Sequence, residues 1–151
     1  MTAPRQPPLA ETVSPEARAA LAPVLNSGPM PRLPSLVMRA AADQGQRAIV
    51  KRRGQKGVKE VQGRMAGVPV RIFTRDGVTL ESAPWLLLNA HGGGFEVDSG
   101  SRSENIPLAA RLQAAVVAVR YRLAPKHPWP AAVDDVLAVY REALKTRSPG
   151  R

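Results

Sequence analysis

Two short, continuous apolar runs most constrain the fold of this chain. They are WLLLNA, residues Trp85–Ala90, and AAVVAVRY, residues Ala114–Tyr121. Continuous apolar runs of this length are typical of strands that are buried on both faces of a parallel sheet. Between them, ENIPLAARLQ (Glu104–Gln113) predicts a crossover helix with Pro107 near its first turn. The stretch as a whole therefore predicts a parallel βαβ unit.

The segments on either side of this unit have other periods. Residues 58–74 alternate, with Val68, Val70, Ile72 and Thr74 on one side, and predict two antiparallel strands, while Asp76-Gly77 is a turn signal. After Pro130, apolar residues recur at helical spacing and predict one face of an amphipathic helix: Val133, Val136, Leu137, Tyr140 and Leu144. Asp134 and Asp135 are interpreted as carboxylates that favour the helix start, without a catalytic role.

The N-terminal third predicts an arm and two short helices. Eight of the 15 prolines lie in the first 34 residues, and residues 3–8 are interpreted as an extended arm. Ser14-Pro15-Glu16 provides an N-cap, a proline at the first helical position and an early carboxylate. A second helix is predicted near Ser35, with one face made of Leu36, Val37, Ala40 and Ala41. The predicted division of the chain is 1–55 and 56–151.

Composition limits the classes of function. At 151 residues and 44% hydrophobic content the chain is typical of one globular domain. It has no cysteine and only two histidines, His91 and His127, so neither a metal site nor a cofactor is expected. The N-terminus has no apolar signal region and no run is long enough to span a membrane, so we expect a cytoplasmic protein without membrane contact.

The positive charge is concentrated in the first half of the chain. Residues 1–66 carry 11 Lys and Arg against 4 Asp and Glu, whereas residues 67–151 carry 11 against 8. The cluster Lys51–Lys59 could bind an acidic polymer. No aromatic residue precedes Phe73, however, so this half has no platform for base stacking. The sequence therefore argues against nucleic-acid binding, and a solvated helix end is the favoured interpretation.

A glycine run follows the first apolar run, in NAHGGGFEVDSGS (Asn89–Ser101). The sequence His91-Gly92-Gly93-Gly94 fits neither the Walker pattern nor the G-x-G-x-x-G fingerprint of dinucleotide sites. Glycines at such a place can instead turn backbone N–H groups toward an oxygen that becomes negative in a transition state. The run is thus interpreted as an oxyanion-hole loop.

The motif HGGGF, followed about thirty residues later by YRLAPKHPWPAAVDD (Tyr121–Asp135), resembles the hormone-sensitive-lipase-like branch of the α/β-hydrolases, the carboxylesterases of α/β-hydrolase fold-3. The resemblance implies an α/β fold: two antiparallel strands, then the βαβ unit and a helix, with the N-terminal helices belonging to a cap. It implies that Gly93 and Gly94 donate the oxyanion-hole N–H groups, that Gly92 and His91 shape the loop, and that small acyl esters are the substrates. His127 and Trp129 are expected to pack rather than react.

Three positions depart from the pattern of that family. Lys126 stands where a glutamate is usual, and this is expected to disturb a local salt bridge. Glu96 and Asp98 stand where an apolar residue and a glycine are common. We expect these two residues to alter how the loop docks or the shape of the acyl pocket.

No serine of the chain lies in a G-x-S-x-G nucleophile motif, which the family's chemistry requires. The nearest segment, residues 146–150, fails because Pro149 has no backbone N–H to donate. We therefore assign no catalytic residue and expect an incomplete, truncated domain that is inactive alone. Its partner would be a C-terminal half, or a second copy paired through the exposed strand Trp85–Ala90. The alternative is a non-catalytic remnant that binds a partner strand or an acidic polymer.

Overall fold

The computed structural model describes residues 12–26, 34–53 and 57–148. The chain divides into two units, Met1–Leu33 and Pro34–Arg151. In the first unit, helix α1 (Pro15–Asn26) begins after Ser14, whose hydroxyl accepts a hydrogen bond of 3.2 Å from the backbone N–H of Ala17. This confirms the predicted N-cap. The predicted arm at residues 3–8 lies outside the described residues, and the division at residue 55 stays a prediction.

The second unit is built on a four-stranded sheet. Its elements are α2 (Ser35–Arg53), β1 (Val58–Met65), β2 (Val68–Arg75), β3 (Trp85–Ala90), α3 (Ser101–Arg111), β4 (Ala114–Val119) and α4 (Ala131–Leu144). The strand order is β1-β2-β4-β3. β2 is antiparallel to both β1 and β4, whereas β3 and β4 are parallel and joined by the crossover through α3. The predicted α/β arrangement, an antiparallel pair followed by a βαβ unit and a helix, is confirmed.

Helices cover the sheet on both faces. On one face, α4 packs through Val139 against a cluster that includes Val70 and Val119. On the other face, α3 packs through Ile106 and Ala109 against Phe73, Val116 and Ala118, and α2 packs against α3. β4 lies between β2 and β3 and is covered from both sides, so all six of its residues are buried. Its continuous apolar sequence is explained by this central position.

The prediction that Trp85–Ala90 is buried on both faces is wrong. β3 is the edge strand of the sheet and pairs only with β4 among the described strands. Its residues are exposed or half-buried, and Trp85 is 51% exposed. Sequence composition does not separate a central from an edge strand, because the difference lies in which neighbours the strand has.

Both predicted helix faces also need correction. On α2, Leu36 is 79% exposed and Val37, Ala40 and Ala41 are not buried either, whereas Gln46 is buried. On α4, the buried positions are Ala132, Asp135, Val139 and Ala143; of the predicted face, Leu137, Tyr140 and Leu144 are exposed and Val133 and Val136 are half-buried. The burial of Gln46 and Asp135 accompanies polar contacts that these two side chains make, which a hydrophobic pattern does not reveal.

Candidate functional site

The glycine loop leaves the carboxyl end of β3 in a conformation that only glycine adopts easily. Gly93 has φ +119° and Gly94 has φ +62°, and the following Phe95 also has a positive φ of 62°. A Cβ atom added to Gly93 would collide with the carbonyl oxygen of Val97. Gly93 is therefore required both by its backbone angle and by the close approach of Val97.

The loop closes on itself through its carbonyl oxygens. Gly93 O accepts the backbone N–H groups of Glu96 and Val97, each at 3.2 Å, and Gly92 O accepts the N–H of Ser99 at 3.2 Å. Among the hydrogen bonds of the described residues, none has the backbone N–H of Gly93 or Gly94 as its donor. Two adjacent donors on a loop held in this way are the groups that an oxyanion hole uses.

His91 holds the start of the loop through its contacts with Tyr121 and Gly92. It is buried, and its ring stacks on Tyr121 with a centroid distance of 4.3 Å and an interplanar angle of 16°. The Tyr121 hydroxyl donates to the carbonyl oxygen of His91 at 2.5 Å, and His91 Nδ1 lies 2.9 Å from the carbonyl oxygen of Gly92. Burial, followed by the negative charge of Asp98, raises the pKa of Tyr121, so the phenol keeps the proton that it donates.

Asp98 links the end of the loop to α3. Its carboxylate accepts the Ser101 backbone N–H at 2.9 Å, the Ser101 hydroxyl at 2.5 Å and the Arg71 guanidinium at 2.9 Å. Gln46 of α2 donates to the Asp98 backbone carbonyl at 2.6 Å. Burial alone raises the pKa of Asp98, but the hydrogen bonds from Ser101 and the electrostatic effects of His91 and Arg71 outweigh burial, and the pKa is lowered.

Arg71 projects from β2 into this cluster and is buried. Besides the bond to Asp98, its Nη1 donates to Ser101 Oγ at 2.5 Å, while its Nε lies 3.5 Å from the Glu60 carboxylate. Glu60 is shared with Arg102, whose Nε is 2.9 Å from it. Burial, and then the nearby positive charges of Arg102 and Arg120, lower the pKa of Arg71. Like charges are thus held together by a few carboxylates.

Arg39 of α2 connects two loops at the carboxyl edge of the sheet. Its Nε donates to the carbonyl oxygen of Glu96 at 2.9 Å, and its Nη2 donates to that of Ala124 at 2.8 Å. The same two loops are joined directly, because the Ala124 N–H donates to the Phe95 carbonyl oxygen at 2.9 Å. The loop after β3 and the loop after β4 are therefore fixed to each other and to α2.

The remaining residues that the sequence analysis named belong to α4 and to the segment before it. Asp135 is buried and accepts the backbone N–H of Arg122 at 2.8 Å as well as its guanidinium, whereas Asp134 is exposed. The expectation that Trp129 packs is wrong, because this residue is 80% exposed. His127 is half-buried and Lys126 is exposed.

Three residues that support the loop were missed, namely Arg39, Arg71 and Tyr121, whereas Asp98 was expected to alter how the loop docks. The alternation in the sequence places Arg71 on the side of β2 opposite Val70 and Ile72, and the structure buries residues on both sides of this strand. The charge of an arginine argued against burial, and its partner Asp98 is 27 residues away. The basic cluster Lys51–Lys59 is divided between α2, β1 and residues 54–56, which lie outside the described residues.

Neither a metal cluster nor a membrane helix is found in the parts of the chain that the structure describes. No group of three or more metal-ligating side chains occurs there. None of the helices described is long and apolar enough to cross a membrane. The cytoplasmic location stays a prediction.

The fold and the loop together define a class of protein. A sheet in the order β1-β2-β4-β3, with an HGGG loop after the parallel strand β3, is typical of an α/β-hydrolase. Residues 87–149 match the family model of the α/β hydrolase fold. A solved hormone-sensitive lipase from a metagenome library is similar with 35% identity and a TM-score of 0.61, and the match covers 76% of this chain and 38% of that one.

Two curated relatives agree with this class. The tuliposide A-converting enzyme b1 of Tulipa gesneriana is 42% identical over 77 residues, which is 48% of this chain and 21% of the relative. Carboxylesterase NlhH of Mycobacterium tuberculosis is 35% identical over 79 residues, which is 51% of this chain and 24% of the relative. Residues 87–149 thus match the α/β hydrolase fold, and the chain is similar in structure to esterases of the hormone-sensitive-lipase family. It spans about a quarter or less of the length of these two curated relatives.

Proposed function

We propose that this chain supplies the oxyanion-hole loop and its supporting scaffold to a carboxylic-ester hydrolase. The observation that carries the proposal is the backbone of Gly93 and Gly94, whose positive φ angles leave two adjacent N–H groups without an acceptor among the described residues. Donors fixed before the reaction stabilise the negative oxygen of a tetrahedral intermediate without having to reorganise. His91 and Gly92 shape the loop, and neither acts as a base.

The nucleophile comes from outside these 151 residues in this proposal. No serine among them lies in a G-x-S-x-G motif. In a serine acyl transfer, the serine oxygen attacks the acyl carbon, the carbonyl oxygen becomes the oxyanion, and the alcohol leaves to give an acyl-enzyme. The chain stabilises the oxyanion but does not create it, so we propose that it is inactive alone.

An apolar pocket beside His91 fits a short acyl chain. Its volume is about 350 Å³, and it is lined by Phe95 from the loop, by Tyr121, and by Val136 and Leu137 of α4. EstE5, which is 28% identical with a TM-score of 0.63, has been studied as crystals soaked by p-nitrophenyl butyrate. We propose short acyl esters as the substrates, with butyryl esters as the first to test.

A chimera tests the role of the loop. Residues 34–148 of this chain would replace the matching region of EstE5, which keeps its own remaining residues, and turnover of p-nitrophenyl butyrate would be measured. The Gly93→Ala variant should lower kcat by about 10²–10³, because the added Cβ displaces the loop. Gly67→Ala is the matched control, since Gly67 also has a positive φ but lies at the β1–β2 turn with open space around it.

Two results would contradict the proposal. One is a folded chimera in which Gly93→Ala and Gly67→Ala have the same activity. The other is turnover of p-nitrophenyl butyrate by the purified 151-residue chain, because that would mean that a nucleophile is present in it. Circular dichroism shows in each case whether the protein is folded.

The open edge of β3 supports a second proposal, namely that this strand pairs with a strand of a partner chain. β3 leaves one backbone edge unpaired among the described strands, and Trp85 and Leu87 are exposed along it. An open apolar edge pairs readily with another strand. We expect self-association, or pairing with the C-terminal half of such a domain. Size-exclusion chromatography that shows a compact monomer at all concentrations would argue against self-association.

A further inference from the structure

A second, polar pocket lies on the other side of the oxyanion loop, between α2 and the sheet. Its volume is about 600 Å³, and it is bordered by His91, Asp98 and Tyr121 on the side of the loop. Arginine side chains dominate the lining: Arg39 and Arg47 of α2, Arg71 of β2, Arg102 of α3, and Arg120 at the end of β4. The pocket is separate from the apolar one proposed for the acyl group, and ligand binding there is independent of the proposed function.

The register of the sheet places two of these arginines at diagonal positions on neighbouring strands. Arg71 lies opposite Ala118, and the Arg120 N–H donates to the Pro69 carbonyl oxygen at 3.0 Å. Successive residues of a strand alternate between the two faces. Arg71 and Arg120 are therefore diagonal neighbours on one face of the sheet. The pKa of Arg71 is lowered mainly by burial, and then by the positive charges of Arg102 and Arg120.

The carboxylates at the pocket do not balance the arginines. Five guanidinium groups face three carboxylates: Asp43, Glu60 and Asp98. Asp43 pairs with Arg47 and Arg102, Glu60 with Arg71 and Arg102, and Asp98 with Arg71.

Two arginines remain without a carboxylate. Arg39 bonds only to carbonyl oxygens, and the guanidinium of Arg120 makes no hydrogen bond or ion pair with any other described residue. The buried Nε of Arg71 makes no hydrogen bond among those residues, but it lies 3.5 Å from the Glu60 carboxylate, with which it forms an ion pair. The pocket thus has an excess of two positive charges.

We propose that this pocket binds a small organic acid through its carboxylate, with Arg120 as the main contact and Arg39 and Arg71 contributing. Guanidinium groups bind carboxylates through paired, charge-assisted hydrogen bonds. Leu36, Ala40 and Leu123 also line the pocket and provide apolar contact for a short carbon chain. This mixture favours an organic acid over an inorganic anion, which has no apolar part.

Binding to the full 151-residue chain tests the proposal. Butyrate and inorganic phosphate would be titrated separately at constant ionic strength, with affinity measured by isothermal calorimetry and the location by amide chemical shifts. The variant is Arg120→Gln, which removes an exposed side chain that no described residue contacts by a hydrogen bond, so the fold is retained. The matched control is Arg141→Gln, which changes an exposed arginine on α4 at the other face of the sheet.

We expect saturable butyrate binding that Arg120→Gln weakens about tenfold or more. Arg141→Gln should leave the affinity within about twofold, and phosphate should bind more weakly than butyrate. The proposal is overturned by an absence of saturable butyrate binding, by an affinity that Arg120→Gln does not change, or by equal losses in the two variants. Phosphate binding as tight as butyrate binding would overturn the assignment to an organic acid.

Discussion

Removing the Asp98 carboxylate should strongly destabilise the folded chain. The carboxylate accepts bonds from Arg71 at 2.9 Å and from the Ser101 backbone and hydroxyl at 2.9 and 2.5 Å. In the variant Asp98→Ala, the Arg71 side chain, only 8% exposed, loses its closest anion. Breaking a buried ion pair on one side costs about 3–5 kcal/mol. Because the Asp98 side chain is 20% exposed, we expect the lower end of that range.

Equilibrium unfolding in urea, followed by circular dichroism, measures this loss. The free energy of unfolding of a small domain is about 5–15 kcal/mol. A loss of about 3 kcal/mol is therefore a large fraction of the total and should clearly lower the urea midpoint. Asp134→Ala is the control, since Asp134 is an exposed carboxylate on α4, and it should change stability by less than about 0.5 kcal/mol.

A double variant separates the charge from the packing. Asp98→Leu combined with Arg71→Met removes both the carboxylate and the guanidinium, so the double variant has no buried arginine charge that lacks its partner. It should therefore recover most of the stability that Asp98→Ala loses. A loss of less than about 1 kcal/mol in Asp98→Ala, a value typical of exposed pairs, would refute the view that Asp98 stabilises a buried cation.

Three further outcomes are expected from the same geometry. Gly93→Ala should lower the urea midpoint clearly more than Gly67→Ala, because both replace a glycine of positive φ but only the first adds a collision with neighbouring backbone. Tyr121→Phe should cost about 1–3 kcal/mol in the same assay, since it leaves the buried carbonyl oxygen of His91 without its 2.5 Å donor; an unchanged midpoint would show that water replaces the hydroxyl. The pKa of Asp98 is lowered in the folded state, so its stabilisation is complete above the unfolded pKa of about 4 and is lost as the pH falls through the folded pKa. The parent should therefore have a lower urea midpoint at about pH 3 than at about pH 5, and this difference should be smaller in Asp98→Asn.

The order of elements was predictable because it depends on local patterns. The alternation before residue 75, the two apolar runs and the cap at Ser14 each act within a few residues, and the structure confirms the elements that they predicted. The burial of β3 and the inward faces of α2 and α4 were not predictable in this way. They depend on which strand neighbours which, and on bonds such as that from Gln46 to Asp98, 52 residues apart.

In the candidate site, too, local features were predictable and long-range contacts were not. The glycine loop was found from a motif, because the need for positive φ at Gly93 is a property of one short segment. Of its supports, His91 was expected from the resemblance, but Arg39 was not, since it bonds to carbonyl oxygens 57 and 85 residues away and carbonyls carry no sequence signal. The departure at Asp98 is visible in the sequence, but its physical effect, to hold Arg71 and the start of α3, is clear only from the distances.

The two bonds of Arg39 also set a dimension within the molecule. Its Nε and Nη2 belong to one rigid, planar group, so the carbonyl oxygens of Glu96 and Ala124 that they contact are held at a spacing fixed by covalent chemistry. A lysine at this position could bond to either oxygen but would leave the spacing free. The guanidinium group thus acts as a spacer of fixed width between the backbone beside the glycines and the turn after β4, in addition to the direct hydrogen bond from Ala124 to Phe95.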